Sequence, residues 1–273
     1  MATFDTNILH TSIFQWSKDL VRLSLPFQQI EVSEYDCQAL IALSNNDPQI
    51  IKSHYNTLFS DDFIADIETV LQMYSMGAHI RFDLCSLKIG NHPPKIQISK
   101  DFFDVLRRGN MRVASSLSLY MQAKQDSHLF IFPWHDILPW SEFRMFIRDR
   151  RLVGVSQYHH HAAYPEIEEH VTPIKAALKA FSRDLIDVLH MDSVVADVFV
   201  AQHDGRDFKT TLIELNPFLW RTDPCLYSWK SGGDFDGGFR YRKIRYNPYR
   251  NISVLGKHSE PIGHFREDDY RRS

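Results

Sequence analysis

Few cysteines and no long apolar run are the first features of the 273-residue sequence. The three cysteines, Cys37, Cys85 and Cys225, are far apart and odd in number. They make neither a disulfide framework nor a CxxC metal motif, and they fit a reducing compartment. No apolar run approaches the roughly 18 residues of a membrane span, and the amino terminus lacks a basic and then apolar signal. We therefore expect a soluble, cytoplasmic protein without a membrane partner.

An excess of charge of one sign is also missing. The 31 basic and 34 acidic residues leave a net charge of −3. This balance gives no electrostatic footprint for nucleic acid, so nucleic acid is not expected as a partner. The motifs GxGxxG and GxxxxGK[ST] are absent as well, which leaves the Rossmann and P-loop routes to a nucleotide unsupported.

Two pairs of β-rich runs are present, and each pair flanks a turn. The first pair is 143–147 and 151–157, and the second is 193–202 and 208–215. Both pairs predict β-hairpins. Because hairpins alternate with helical segments along the chain, the order favours an α+β protein with largely antiparallel sheets over a doubly wound parallel one.

A long amphipathic pattern lies between the two hairpins. It predicts a helix over most of residues 164–190, and Pro173 indicates that the helix proper begins near that residue, since proline is tolerated in a first turn. After Pro217 regular patterning fades, and only 251–255 indicates one last strand.

Acidic side chains interrupt the second hairpin in otherwise apolar surroundings. Glu214 and Asn216 are two residues apart and so project from the same face of a strand, and hairpin pairing brings Asp197 beside them. Two carboxylates and an amide oxygen suit Mg²⁺, a cation that takes oxygen ligands and shares them with phosphates. The alternative, in which these side chains simply face solvent on a one-sided sheet, stays open.

Several blocks of the chain match a known pattern. That pattern has a GAEFR-type strand, a LIGISQ strand, a DVF or DVY strand and a DFNPF block followed by TDSLLFSW. The matching segments are 141–147, 152–157, 197–199, 213–218, 222–223 and 227–229, with weaker matches at 14–16, 78–81 and 86–88. With these blocks the chain resembles the cell division cycle protein 123 family over most of residues 10–230.

The chain lacks the family's long acidic insert in the amino-terminal half and is short overall, and three further departures concern individual residues. Glu214 stands where the pattern usually has Asp, and both residues ligate magnesium. Tyr158-His159-His160-His161 follows Gln157 where the pattern tends to have Arg-Asp. The segment Leu87-Lys88-Ile89 replaces a Pro-basic-Asp motif. These changes affect the expected contacts with a protein partner more than they affect the expected binding of a nucleotide.

The resemblance implies an ATP-grasp-like fold, with two α+β lobes and a nucleotide cleft between them. Residues 1–132 would form an amino-terminal helical region and the first lobe, and residues 133–273 the second lobe with a metal-binding hairpin and a tail. The implied cofactors are ATP and Mg²⁺. Asp197, Glu214 and Asn216 would hold the metal and, through it, the β- and γ-phosphates.

Five further residues are assigned to the nucleotide. Arg144 would neutralise phosphate charge, with an ion pair to a neighbouring glutamate (Glu142 or Glu214) as the alternative. Arg81 and Lys88 would add first-lobe cations, unless they are only solvated. Phe132 and Trp134 lie on the strand predicted to join the lobes and to receive adenine, and an ordinary core strand is the alternative.

The function implied by the resemblance is assembly of eukaryotic translation initiation factor 2, through binding of its gamma subunit. The amino-terminal aromatics Phe14 and Trp16 are expected to be exposed for such a partner. The alternative is an ATP-dependent carboxylate–amine ligase, in which Arg144 would be catalytic, so enzyme status stays open. His159–His161 cannot all face one ion and no partner cysteine is evident, which favours a solvated loop.

Overall fold

The computed structural model describes residues 7–50, 52–90, 92–203, 205, 207–247 and 252–262. Two compact units divide this part of the chain. The three-stranded unit contains Ser12–Phe14 and Pro26–Asp136. The six-stranded unit contains the described residues up to Thr11, Gln15–Leu25 and the described residues from Ile137 onward. Among the described residues no helix combines the length and apolar character needed to cross a membrane.

Pairs of helices are followed along the chain by single strands or by runs of strands, as expected for an α+β chain. The helices are α1 (Asn7–His10), α2 (Lys18–Arg22), α3 (Glu34–Ser44), α4 (Asp61–Gln72), α5 (Ser99–Arg107), α6 (Met111–Gln122), α7 (Pro165–Glu169) and α8 (Val171–Val188). The strands are β1 (Gln28–Val32), β2 (Ala78–Phe82), β3 (Ser127–Pro133), β4 (Glu142–Arg148), β5 (Arg151–Gln157), β6 (Val194–His203), β7 (Asp207–Pro217), β8 (Gly238–Asn247) and β9 (Ile252–Pro261).

The three-stranded unit packs α3 to α6 with an antiparallel sheet of order β1-β3-β2. Helix α4 begins after Ser60, whose hydroxyl accepts a hydrogen bond from the Phe63 amide at 3.3 Å. This side-chain cap satisfies one of the amides that a helix leaves without a partner in its first turn. The buried face of α4 then joins a core that includes Phe102 and Phe103 of α5.

The six-stranded unit has the strand order β7-β6-β4-β5-β8-β9. Both predicted hairpins are confirmed, as β4–β5 and β6–β7. The first turns through Asp149 and Arg150, which both have positive φ, 50° and 56°. Positive φ at two central residues is the requirement of a type I′ turn, whose twist matches that of the flanking strands.

The long helix predicted over 164–190 is two helices, α7 and α8, divided at His170. Pro173 lies in the first turn of α8, as predicted. Proline has no amide hydrogen and its ring clashes with the carbonyl four residues earlier, so one continuous helix through this point is unfavourable.

The last strand predicted at 251–255 is confirmed from Ile252 onward as part of β9, and residue 251 lies outside the described residues, but the region after Pro217 is more regular than predicted. Two ten-residue strands, β8 and β9, form an antiparallel pair there, and β8 also pairs in parallel with β5. Charged residues mask the strand pattern, because β8 contains the buried Arg240 between Phe239 and Tyr241 in the sequence, and both of these neighbours are buried as well. Its guanidinium is compensated by Asp234 at 2.8 Å and Asp236 at 3.0 Å.

Candidate functional site

Three neighbouring strands bring the candidate residues of the six-stranded unit together. Arg144 on β4 lies opposite Asp197 on β6, and Asp197 lies opposite Glu214 on β7. Asn216 follows two residues after Glu214, on the same face of β7. Because directly opposite residues of an antiparallel pair share a face, the four side chains form one row across the sheet.

Arg144 and Asp197 form a buried ion pair with two hydrogen bonds. Nε donates to Oδ1 and Nη2 donates to Oδ2, both at 2.7 Å, and the two residues are 5% and 1% exposed. Nη1 donates to the carbonyl oxygen of Asp223 at 2.8 Å, and the Tyr158 ring lies 4.9 Å from the guanidinium carbon. The alternative expected for Arg144 was an ion pair with Glu142 or Glu214. In the structure its ion-pair partner is Asp197.

Burial and neighbouring charges shift the pKa values of the charged side chains in this row. Burial raises the pKa of Asp197 to about 7; Arg144 opposes this rise, and the Glu214 carboxylate adds to it. Burial alone would lower the pKa of Arg144, but the charge and hydrogen bonds of Asp197 raise it well above its usual value. The neighbouring carboxylates of Asp197 and Glu214 repel each other, and a cation bound between them would relieve this repulsion.

The Asn216 amide currently separates the two carboxylates. Its Nδ2 donates to Asp197 Oδ2 at 3.1 Å and to Glu214 Oε1 at 3.3 Å. The amide oxygen therefore lies on the other side of the amide group, and a half-turn about the terminal torsion would exchange it with the nitrogen. Two carboxylates and one amide are a hard oxygen donor set, so the residues present fit Mg²⁺.

Arg81 and Phe132 lie on the sheet of the three-stranded unit. Arg81 is buried on β2, opposite Phe130 of β3. Phe132 is buried on β3, pairs with His79 of β2 and packs against the Phe27 ring at 5.1 Å between centroids. Both residues are core groups of this sheet, and their contact with a nucleotide stays a prediction.

Lys88 and Trp134 lie outside the strands of the same unit. Lys88 is half-buried, and its carbonyl accepts a hydrogen bond from Asn110 at 3.1 Å. Trp134 is half-buried just after β3, where its indole nitrogen donates to Asp136 at 2.6 Å and the Lys95 ammonium lies 5.7 Å from the ring centroid. Their assignment to the nucleotide likewise stays a prediction.

The prediction that the amino-terminal aromatics are exposed is right for Phe14 and wrong for Trp16. Phe14 is 47% exposed, although its ring stacks on His128 at 3.9 Å between centroids. Trp16 is only 7% exposed, and its indole nitrogen donates to the Thr11 carbonyl at 3.3 Å. The tryptophan is a packing residue that satisfies its polar atom locally, as a buried indole must.

The loop after β5 is partly buried and is bound by hydrogen bonds from a buried side chain. Gln157 is fully buried, and its Nε2 donates to the carbonyls of His159 and Ala162, both at 2.7 Å. His159 and His160 are half-buried, and His159 Nε2 lies 3.0 Å from Glu142 Oε2. Sequence reasoning treated Gln157 only as part of a strand pattern, although a glutamine beside a loop is well suited to bind loop carbonyls.

Known proteins are similar to this chain in sequence and in fold. The sequence model of the D123 family matches residues 98–234, which include the whole row from Arg144 to Asn216. The chain is 33% identical over 105 residues to the translation initiation factor eIF2 assembly protein of Vanderwaltozyma polyspora, covering 38% of this chain and 27% of that protein. It is 29% identical over 153 residues to cell division cycle protein 123 of Eremothecium gossypii, covering 52% of this chain and 41% of that protein.

The fold likeness extends further than the sequence likeness. The structure of Cdc123 from Schizosaccharomyces pombe superimposes with a TM-score of 0.66 over 84% of this chain and 92% of that one, at 20% identity. The sequence matches to the two curated relatives span less than half of their length. The α+β fold expected from the sequence is confirmed, and because the family's sequence model covers half of its length, the chain belongs to the D123 family.

Proposed function

We propose that this chain is an assembly factor for translation initiation factor eIF2 and that it binds ATP through Mg²⁺ at the row formed by Arg144, Asp197, Glu214 and Asn216. The observation that carries the proposal is the alignment of the first three of these residues on adjacent strands, inside the region matched by the D123 family.

The row has the chemistry that a magnesium nucleotide requires. Asp197, Glu214 and, after rotation of its amide, Asn216 would hold the cation, which supplies charge neutralisation for the β- and γ-phosphates. A guanidinium has five N–H groups, and Arg144 uses three of them in the contacts described above. The remaining two can donate to a phosphate oxygen without loss of the ion pair.

The partner is inferred from the relatives. Proteins whose names describe assembly of eIF2 match this chain in yeasts and in Xenopus laevis. The region that they share with this chain supports a role in eIF2 assembly here. We propose that the chain binds the gamma subunit of eIF2. The ATP-grasp-like character and the nucleotide contacts of Arg81, Lys88, Phe132 and Trp134 belong to this proposal too.

A nucleotide titration tests the metal site. ATP is titrated calorimetrically into the full chain with and without Mg²⁺, and then into Asp197→Asn. Asp207→Asn, an exposed position on the same hairpin, is the matched control. We expect binding that depends on Mg²⁺, that weakens at least about tenfold in Asp197→Asn and that is unchanged in the control. Equal affinity of the wild type and Asp197→Asn would remove the metal assignment.

A pull-down tests the assembly function separately. The chain is immobilised and offered the individual eIF2 subunits with Mg²⁺ and ATP, and capture of gamma alone is the expected result. Phosphate release is followed in parallel with candidate carboxylic acids and amines. Steady turnover without capture of gamma would favour the ligase alternative, in which Arg144 stabilises the transferred phosphate.

A further inference from the structure

Three metal-ligating side chains converge beside the row, on residues that the proposed function does not use. One donor atom from each of His160, Asp223 and Cys225 lies within 4.8 Å of the other two. The histidine belongs to the loop after β5, and the other two residues belong to the segment after β7. The cluster therefore combines a nitrogen, an oxygen and a sulfur donor, and the histidine lies more than 60 positions before the other two residues in sequence.

The loop that carries His160 is held by contacts independent of any metal. The two hydrogen bonds from Gln157 described above bind its carbonyls, and Arg242 Nε donates to the His160 carbonyl at 2.8 Å. The other end of the Gln157 amide accepts from the Arg242 backbone amide at 2.8 Å. The imidazole is thus presented from a fixed backbone, and little ordering entropy would be lost on ligation.

A backbone carbonyl fixes the tautomer of the histidine. His160 Nδ1 lies 3.0 Å from the carbonyl oxygen of Tyr158. A carbonyl can only accept, so Nδ1 carries the hydrogen and the lone pair is on Nε2. Ligating histidines in proteins are commonly oriented by this kind of hydrogen bond from the second ring nitrogen.

The segment with Asp223 and Cys225 is also held by hydrogen bonds. The Cys225 amide donates to Asp223 Oδ1 at 2.8 Å, and the Asp223 carbonyl is bound by Arg144 at 2.8 Å. Cys225 has a φ of 52°, in the left-handed region that non-glycine residues seldom adopt. These contacts leave the second carboxylate oxygen of Asp223 and the thiol of Cys225 available for a ligand.

We propose that His160, Asp223 and Cys225 form a Zn²⁺ site with three protein ligands and a fourth position open to water. Zinc takes nitrogen, oxygen and sulfur donors in tetrahedral geometry, and three protein ligands plus one open position is a known arrangement. Mg²⁺ prefers oxygen donors alone, so this site and the row would select different ions. The tertiary structure supplies the cysteine partner that the run of three histidines lacks in the sequence.

Cobalt titration of the intact chain, without an affinity tag and under reducing conditions, tests the site. Co²⁺ bound by a thiolate in tetrahedral geometry gives a thiolate-to-metal charge-transfer band and intense visible bands. We expect one equivalent to bind, Zn²⁺ to displace it and excess Mg²⁺ to leave it in place. Cys225→Ser should abolish the charge-transfer band and weaken metal affinity more than about 100-fold, since loss of outer-shell partners alone costs about 10- to 100-fold.

His161→Gln is the matched control, because His161 is the exposed neighbour of the proposed ligand and is not part of the cluster. The cobalt spectrum and the cobalt affinity of His161→Gln should equal those of the wild type. The variant His160→Gln should lose the wild-type spectrum and the wild-type affinity. Absence of a stoichiometric cobalt complex would overturn the proposal. The proposal would also be overturned if Cys225→Ser still formed the cobalt complex or if excess Mg²⁺ displaced the cobalt. Loss of the complex in His161→Gln to the same extent as in His160→Gln would overturn it as well.

A labelling experiment avoids any dependence on variant folding. Wild-type chain is treated with iodoacetamide, and alkylation of Cys225 is followed by peptide mass spectrometry with and without one equivalent of Zn²⁺. Zinc should slow alkylation of Cys225 at least about tenfold, because a ligated thiolate is shielded and its lone pair is engaged. Equal alkylation rates with and without zinc would contradict the assignment.

Discussion

Arg144 and Asp197 stand opposite each other on β4 and β6 and are joined by two hydrogen bonds of 2.7 Å in a buried setting. This relationship makes the aspartate a partner of the arginine before any ligand arrives. The burial of this pair determines how the row responds to substitution.

Removal of the arginine alone should be costly. Arg144→Met leaves Asp197 buried without its compensating charge, and we expect the free energy of unfolding to fall by about 3–5 kcal/mol in urea titrations. The double variant Arg144→Met/Asp197→Leu should be more stable than the single variant, because no buried charge of the pair remains. As a control, Arg22→Ala removes an exposed pair with Asp19 and should cost less than about 1 kcal/mol. A double variant as unstable as the single one would contradict this account.

The buried glutamine should be important for the stability of the loop after β5. Gln157→Met keeps the length of the side chain but removes its bonds to the carbonyls of His159 and Ala162 and to the amide of Arg242. We expect a loss of about 3 kcal/mol in urea unfolding, since each buried group left unsatisfied costs about 1–3 kcal/mol. Gln38→Met, on an exposed helix face, should be near neutral. Native-state hydrogen exchange should show faster exchange of the Arg242 amide only in the first variant.

A close approach of backbone and ring makes glycine necessary at position 154. A Cβ built on Gly154 would lie 2.5 Å from Tyr227 Cζ, whereas one on Gly256 would meet no atom closer than 3.6 Å. Gly154→Ala should therefore destabilise by about 1–3 kcal/mol, the usual cost of overpacking, and Gly256→Ala should not. The cost of Gly154→Ala should shrink in a Tyr227→Leu background, as measured by a double-mutant cycle. An unchanged cost would show that the ring is not the obstacle.

The glutamate of β9 should make stability depend on pH. Partial burial would raise the pKa of Glu260, but bonds to Lys175 at 3.1 Å, His258 at 3.2 Å and Tyr241 at 3.2 Å outweigh it and lower the pKa below its usual value. A lowered folded-state pKa stabilises the fold above the ordinary glutamate pKa, and this contribution disappears as the pH falls through the folded value.

Glu260→Gln should consequently lose about 0.5–1 kcal/mol at neutral pH and nothing once the wild-type carboxylate is protonated. Thermal unfolding of both proteins across the acid range measures the difference. Glu31→Gln, at an exposed position of β1, should show no such convergence. A difference that persists unchanged at acidic pH would mean that the effect is steric and not electrostatic.

Local sequence patterns were sufficient to predict the two hairpins and the closeness of the acidic residues in the second one. Side chains alternate along a strand, and the turns predicted from the sequence at 149–150 and 203–206 are short. Both patterns act over a few residues, so the pairs β4–β5 and β6–β7 and the closeness of Asp197 to Glu214 could be predicted. The start of α8 near Pro173 followed in the same way from the geometry of proline.

Contacts between distant segments decided the rest. The sequence alone did not indicate that Arg144 would form its ion pair with Asp197 and not with a glutamate. It also did not indicate that β8 would pair in parallel with β5 or that the side chains of Cys225 and His160 would lie close together. Each of these depends on which buried surfaces pack and on which charges must be compensated away from water, and that balance is set only when segments far apart in the chain are brought together.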